Sequence, residues 1–561
     1  MSTDKKYDDM EKHDVIDASV HRDDAGSAGK KNVDTKVMTG NEAFNEAMFK
    51  EPPGAWTKPQ ILIYAASVVG FFCSTMNGYD GSLINLLLQN EYFQEAYDVE
   101  STGINAGIVS SMYQIGGVVA LPFVGPAIDT WGRRIGMFIG AIIIIVGTII
   151  QGTAEGESAY GHFMGGRFLL GFGVSIAAAA GPMYVVEINH PAFRGVVGAM
   201  YNTLWFSGSI IAAGAARGAL DTGGDYSWRL PTWLQCLFAG IICLFCLWLP
   251  ESPRWLYVNN KKDAARAMLT KYHGMGNPDS AWVQLQLHEY DELLNMDGAD
   301  KRWWDYRALV RDRASCYRLG CNVTISIFGQ WAGNAVLSYF LGAVLDTAGY
   351  QDTVQQANIT LINNCQQFVF AICGALVVDK VGRRPLLLFS FTACTVIWFA
   401  MTVASAEFAK SGGGINPDGS TRMGTNTDAS KASLAFIFIF GSFYSVGITP
   451  LQALYPVEVL SFEMRAKGMA FSSLSVNAAG LLNQFAWPVS MREIGWKTYI
   501  VFTIWDAIQV FVVWIFIPET KGRTLEELDE IFHAKNPVKA SLAKKSLAVT
   551  DYGEVVNVTD A

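Results

Sequence analysis

Asp80 stands inside the apolar run STMNGYDGSLINLLL (74–88), and Arg167 stands inside GHFMGGRFLLGFG (161–173). An ionised side chain at hydrocarbon depth is costly and normally faces a bundle interior with a partner. At 1.5 Å rise per residue, Asp80 lies about 12 Å before the outer end of its run and Arg167 about 8 Å after the start of its own. The shared depth makes each the expected counter-ion of the other. Such a pair can handle a proton: beside Arg167 the carboxylate stays ionised, whereas a buried carboxylate that loses its cation takes a proton up. Protonation would then bias a two-state molecule, which is how a gradient can drive a second ligand. The competing reading is a carboxylate that only caps a kink at Asn77-Gly78 and an arginine that only braces the fold.

A second group of residues is neutral, polar and set in apolar runs. Gln330, Trp331, Asn334 and Tyr339 fall in one run, Asn363, Asn364, Gln366 and Gln367 in the next, and Asn477, Asn483 and Gln484 in a third. Gln114, Asn202 and Trp205 are the comparable residues of the first half. Amides supply donors and acceptors for hydroxyl groups, and an indole offers a face for the C–H surface of a sugar ring. Singly, each amide could equally be glue between helices. As a set they favour a polyol ligand.

These residues need long apolar elements to hold them. The 561-residue chain is 51% hydrophobic and 17% charged, with mean hydropathy +0.22. Apolar runs of membrane-crossing length fall near 60–88, 104–128, 135–152, 162–186, 195–216, 230–249, 318–345, 355–378, 386–406, 433–459, 467–490 and 498–517. One long polar insert divides them six and six. The expected organisation is a cytoplasmic tail (1–58), a six-helix bundle (59–249), a cytoplasmic helical linker (250–317), a second bundle (318–517) and a cytoplasmic tail (518–561). Arg133, Arg134, Arg194, Arg383, Arg384, Arg465 and Lys467 occupy the short loops of one side, while QNEYFQEAYDVEST, EGESAYG and DTAGYQDTVQQ on the other carry acids and no Lys or Arg. Both termini are therefore expected to be cytoplasmic. On the outer side, Asn358-Ile-Thr360 forms a glycosylation triplet. The nine cysteines are scattered, mostly through apolar runs, with no neighbouring histidines at ligand spacing, so no metal is expected. There is no phosphate-binding glycine loop and no plausible hydrolytic triad, so an enzyme or ATP-driven pump is not expected.

The halves repeat. GPAIDTWGRR (125–134) is echoed by GALVVDKVGRR (374–384), EINHPAFR (187–194) by EVLSFEMR (458–465), and PESPR (250–254) by PETKGR (518–523). Duplicated six-helix units are one architecture of alternating-access carriers, with the binding site between the halves. Asp129, Arg133, Arg134, Glu187, Arg194 and Glu251 thus have counterparts in Asp379, Arg383, Arg384, Glu458, Arg465 and Glu519. Opposite charges at the inner helix ends could form a latch that pairs in one state and separates in the other. A solvated basic rim is the alternative.

The repeated D-x-x-G-R-R loop resembles the signature of the major facilitator superfamily. PESPRWL, PETKGRTLEEL, GRFLLGFG and YPVEVLSFEMRAKG are similar to its sugar porter branch, from Gln60 to about Phe532. NGYDGSL, YNTLWFSGSI and QWAGNAVLSYF resemble the fungal lactose permease and cellodextrin transporters. The resemblance implies an all-α polytopic membrane protein of twelve transmembrane helices. It also implies a monomeric carrier in the plasma membrane that imports a hexose or a disaccharide, with a proton gradient in place of any cofactor. Asp80 matches the position where proton-coupled members carry an aspartate and uniporting members often lack one. There are departures. QWAGN is one residue shorter than the family's Q-Q-x-x-G-x-N, Asn202 stands where many hexose carriers have glutamine, and Ala453 stands where they have tryptophan, leaving more room. A facilitative sugar uniporter, a non-transporting sugar sensor, or a carrier of another polyhydroxylated metabolite such as quinate or inositol are the alternatives. The roughly 44 residues after the last run offer little to a sensor.

Overall fold

Polar backbone can cross hydrocarbon only when its hydrogen bonds close internally, and the chain meets that condition with helices. The computed structural model describes residues 36–37, 47–99, 104–296, 307–412, 414–415, 421–422, 425–543, 545–549 and 555–560, less 49, 157, 340, 351, 522 and 524. The first six spans are Lys58–Leu88, Ile104–Gly125, Arg133–Gly152, Ala159–Ile188, Arg194–Thr203 continued by Trp205–Leu220, and Tyr226–Trp233 continued by Gln235–Cys246. The seventh runs over Arg313–Trp331 and goes on as Asn334–Tyr339 and Leu341–Thr347. Thr353–Val381, Arg383–Lys410, Thr427–Val459, Phe462–Ile494 and Thr498–Phe516 complete the twelve.

Among the described residues ten of these are long and apolar enough to cross a membrane, and the seventh and eleventh spans are more polar. These two carry Gln330, Trp331, Asn334, Asn477, Asn483 and Gln484. Their polarity is that of helices that face a bundle interior rather than lipid. Continuous helix was expected over 318–345. The seventh span instead breaks at Ala332-Gly333, where Gly333 takes φ +93° and the indole of Trp398 fills the place a side chain would need.

Each half has its own apolar core. One is centred on Tyr79, Phe163, Tyr184 and Trp228, the other on Phe391, Trp398, Tyr455 and Tyr499. Within the first half the first and fifth spans touch backbone to backbone. A Cβ on Gly78 would overlap the Trp205 carbonyl, and one on Gly208 would overlap the Thr75 carbonyl. Small residues at such crossings let helices pack closely without a hydrophobic driving force.

The linker lies under the inner ends as three short helices, Pro253–Val258, Lys262–Tyr272 and Ala281–Met296. Its anchor is His273, which donates from Nε2 to the Ile188 carbonyl at 3.0 Å and accepts at Nδ1 from Gln286 at 2.9 Å. His190 stacks edge-on against Trp282 at 4.6 Å. The Pro52-Pro53-Gly54 strap closes over them a cavity of about 200 Å³, and Trp282 donates to the Glu51 carbonyl at 2.7 Å. Burial holds His273 neutral, down to about 4, with the Arg194 charge adding to the effect. It holds His190 down to about 3, helped by the His273 and Arg194 charges.

Two outcomes are expected. Gly208→Ala should cost ~1–3 kcal/mol, seen as a lower thermal midpoint in detergent, while Gly214→Ala, whose Cβ meets open space, should not. Because both imidazoles bind protons less readily folded than unfolded, the linker's docking is fully stable above the ordinary imidazole value and weakens as pH falls from there toward 4. Each imidazole contributes up to about tenfold per pH unit in that window. Hydrogen exchange over 262–296 should therefore accelerate on acidification, and His273→Gln should flatten the slope.

Candidate functional site: a buried carboxylate and its surroundings

Asp80 is fully buried on the first span. Its Oδ1 accepts from Gln235 Nε2 at 3.1 Å, and its Oδ2 has no hydrogen-bond partner. Arg167, 1% exposed, donates from Nη1 to the backbone carbonyl of Asp80 at 3.3 Å. Its guanidinium lies over the Tyr113 ring, 5.2 Å from the centroid, and the Tyr113 hydroxyl donates to Asn77 Oδ1 at 3.0 Å. The two opposite charges do share one depth and one pocket. The cation reaches the aspartate's backbone rather than its carboxylate, and an amide takes the carboxylate instead.

Gln235 was not among the residues singled out from the sequence. The signal was present, a lone glutamine in the apolar stretch PTWLQCLFAG. Nothing in the sequence alone aims it at Asp80, because the sixth span's rotation is set by packing. The same holds for Tyr113.

The neutral residues divide by what they touch. Five lie along the seam between the halves or reach across it. Asn202 donates to the Thr449 carbonyl at 2.6 Å, and Asn364 donates to the Ser209 carbonyl at 3.4 Å. Gln114 faces Gly480, and Asn477 faces Gly117. Gln484 is 1% exposed with its Oε1 unpartnered, and its carbonyl packs against Gly107. Trp331 and Asn483 border this seam from the seventh and eleventh spans. The indole of Trp331 donates to the Ala479 carbonyl at 3.1 Å, and Asn483 donates to the Gln330 carbonyl at 3.0 Å. Asn334 sits just past the seventh span's break and accepts from Ser338 at 3.4 Å. By contrast, Asn363 and Gln367 press against Gly441 of the tenth span, and Gln366 donates to the Phe438 carbonyl at 2.9 Å. Those three are held by packing inside the second half. Trp205 packs edge-on against Phe206 at 5.3 Å. The side chain of Tyr339 lies outside the described residues.

At the inner ends the repeated charges close two matching sets. In the first half Arg133 holds Glu187 with two bonds of 2.9 and 3.2 Å and Asp129 with one of 3.2 Å, and Ser252 donates to Glu187. Glu251 accepts from the backbone of Arg134 and Ser252 at 3.4 and 2.9 Å. In the second half Arg383 holds Glu458 at 2.6 to 3.2 Å, and Thr520 donates to Glu458 at 2.6 Å. Glu519 accepts from the backbone of Arg383 and Arg384 at 2.9 and 3.1 Å. Gly132 and Gly382 take φ +108° and +104°, and a side chain on either would strike Glu251 or Glu519. Two glutamates thereby cap the third and ninth spans at their positive ends. Arg194 departs from the pattern, since it binds the Asn189 carbonyl and Gln286 of the linker, both at 3.3 Å. The side chains of Asp379 and Arg465 lie outside the described residues. The pairs of Arg133 with Glu187 and Asp129 and of Arg383 with Glu458 each stay within one half.

Contacts between the halves lie at mid-depth and toward the outer end. Gly342 packs on Gln89, Arg217 donates to Asn358 Oδ1 at 3.2 Å, and Leu86, Leu87 and Gln89 share a small outer crevice with Thr353 and Ala357. The glycosylation triplet is thus part of a helix, with Asn358 held by Arg217 and the Thr360 hydroxyl bonded back to Gln356 at 2.9 Å. These contacts close the gap between the halves at the end that carries Asn358.

The family model of the "Sugar (and other) transporter" group matches residues 66–532. Similar proteins include a high-affinity glucose transporter of Kluyveromyces lactis, 26% identical over 84% of this chain and 85% of its own. The MFS-type transporter oryC of Aspergillus oryzae is 26% identical over 86% and 87%. A quinate permease of Emericella nidulans is 25% identical over 84% and 89%. In fold the chain is similar to the xylose transporter XylE of E. coli in a partially occluded inward-open conformation, with a TM-score of 0.66 at 18% identity over 82% of this chain and 99% of that one. It is equally similar to the proton:xylose symporter XylE bound to 6-bromo-6-deoxy-D-glucose, with a TM-score of 0.69 at 18% identity over 84% and 99%.

The inner charge sets make a testable contrast. Glu187→Gln breaks a buried pair and should cost ~3 kcal/mol or more. Asp129→Asn, whose side chain is 58% exposed, should cost under about 1 kcal/mol. Thermal unfolding in detergent measures both, and equal effects would contradict this ranking. The chain belongs to the sugar transporter family of the major facilitator fold and is a multi-pass membrane carrier, not an enzyme.

Proposed function

We propose that this carrier imports a neutral sugar, a hexose or a disaccharide, together with a proton, by alternating access across the plasma membrane. The observation that carries the proposal is the Asp80 pocket. A carboxyl at hydrocarbon depth has one donor, Gln235, while the nearby cation binds its backbone. Such a carboxyl is stable when it carries a proton, or when Arg167 swings onto it, and poor in any third condition. The proton and the guanidinium are thus alternatives at one site. Exchanging them couples protonation to the position of the first span against the fourth. The amides that span the seam, Asn202, Asn364, Gln114, Asn477 and Gln484, offer a hydroxyl-bearing ligand donors and acceptors from both halves, so binding would favour closure around it.

The printed functions of the relatives support a sugar and keep a second polyol in view. Glucose transporters and a quinate permease are similar to this chain at about the same identity. Ala453 in place of a larger residue is compatible with a ligand larger than a hexose. No cofactor besides the proton gradient is required, and a single copy carries both halves of the seam.

Uptake of labelled glucose, xylose, lactose, cellobiose and quinate in a transporter-deficient host, with and without a protonophore, tests substrate and coupling together. Asp80→Asn should lose uphill accumulation, so that the internal level only equals the medium, while sugar-for-sugar exchange persists. Substrate-evoked alkalinisation of the medium should vanish with it. Wild-type accumulation in Asp80→Asn would remove Asp80 as the coupling acid, and indifference of the native carrier to the protonophore would favour the uniporter.

A further inference from the structure

The second half holds a carboxylate as deeply buried as Asp80. Asp506 of the twelfth span is 0% exposed, and neither of its oxygens has a hydrogen-bond partner. It follows Thr498, the outer start of its span, by two turns, about 12 Å. Asp80 precedes the outer end of the first span by the same distance, so the two acids share a depth in opposite halves.

Among the described residues the surroundings of Asp506 supply no cation. The ninth span packs along the twelfth and carries the neutral, buried Cys394. The seventh presents Phe328 and Trp331, both edge-on to Trp505 at 6.0 and 5.5 Å. The eleventh packs Trp487 against Phe502 one turn above. Among the described residues no guanidinium, ammonium or imidazole of these elements pairs with Asp506.

The polar atoms on this stretch are also mismatched. Asp506 Oδ1 and Oδ2 and Gln509 Oε1 are buried acceptors without a donor, and Trp505 Nε1 is a buried donor without an acceptor. Asp506 and Gln509 lie on one helix face at i, i+3. Ionised, Asp506 would be an unpaired charge at hydrocarbon depth, the most costly condition available to it. Protonated, it becomes neutral and converts one surplus acceptor into a donor on the face it shares with Gln509. Its neighbour Trp505 meanwhile rests on Trp331, at the border of the seam.

We propose that Asp506 is a second proton-binding site, neutral and carrying its proton while the outer side is closed, and opened to exchange with water when the carrier turns. The step is a proton transfer from water or hydronium to a carboxylate oxygen and back, with no other reactant. It does not depend on Asp80 being the coupling acid.

Infrared spectra of the full-length carrier, purified and reconstituted, test it. The carbonyl stretch of a protonated carboxyl should be present in the native protein and in Asp80→Asn. In the Asp80→Asn background it should be lost on adding Asp506→Asn and moved in frequency on adding Asp506→Glu, which also serves should the asparagine variant fail to fold. On transfer to deuterium oxide the band should shift as its proton exchanges. Gln89→Cys with Gly342→Cys places two thiols across the outer contact between the halves, and oxidising them should hold that side closed. Exchange at Asp506 should then slow by at least about tenfold and recover with a reductant. Absence of the band would mean an ionised Asp506 and overturn the proposal. Exchange at one rate in the locked and reduced carrier would make Asp506 a static structural acid and overturn it as well.

Discussion

A carboxylate within hydrocarbon must find a cation, a set of donors or a proton, and that requirement organises this molecule from its rim to its centre. At the inner rim the answer is a cation with donors. Glu187 has Arg133 and Ser252, and Glu458 has Arg383 and Thr520. At the helix starts the answer is backbone N–H groups, supplied to Glu251 and Glu519 by the third and ninth spans. Deeper in, the supply thins, with one amide at Asp80 and none at Asp506. The gradient runs from carboxylates with full sets of partners at the rim to carboxyls with one donor or none at the centre. A carrier that uses protons needs such acids at its centre and cannot tolerate them at its hinges.

The pairing of inner charges within each half has a mechanical consequence. Arg133 ties the start of the third span to the end of the fourth, and Ser252 adds the segment after the sixth. Arg383, Glu458 and Thr520 do the same for the ninth, tenth and twelfth. Each bundle is thereby clamped at its inner end as one body. Close backbone contact between the first and fifth spans at Gly78 and Gly208 does likewise higher up. What separates the halves is therefore a seam of neutral amides and small residues, where contacts can be exchanged at little cost. Rigid bodies with a polar, weakly bonded seam are what rocking motion requires.

Much of this was legible in the sequence because the duplication writes it twice. Span number, the linker and the matched glutamates and arginines follow from repeated loops and apolar runs, and the helices lie within a few residues of those runs. The charges are candidates for a latch or for a solvated rim, and the pairs Arg133–Glu187 and Arg383–Glu458 each close within one half; spacing along a chain says which charges share a rim and not which neighbour each turns toward. Gln235 illustrates the same limit. A single glutamine in an apolar run announces an interior-facing helix face, yet its partner Asp80 lies 155 residues away and is chosen by how the sixth span is rotated. The break at Ala332-Gly333 was hidden too, since the indole of Trp398 that occupies the space beside Gly333 comes from a different span.

The amides of the seventh, eighth and eleventh spans show where such reading reaches its resolution. By type they are equivalent, and all could recognise hydroxyl groups. Packing separates them: Asn363, Gln366 and Gln367 turn toward the tenth span, while Asn364, on the same helix, reaches Ser209 of the opposite half. A 3.6-residue helix presents consecutive residues to directions about 100° apart, so one residue's difference decides between holding a bundle together and facing its partner. Ligand contacts that stabilise closure must come from the second kind, because only they gain or lose a neighbour when the halves move. By that criterion Asn202, Asn364, Gln114, Asn477 and Gln484 stand apart from the remaining amides, and the seam they define passes within one aromatic contact, Trp331 on Trp505, of the stretch that carries Asp506.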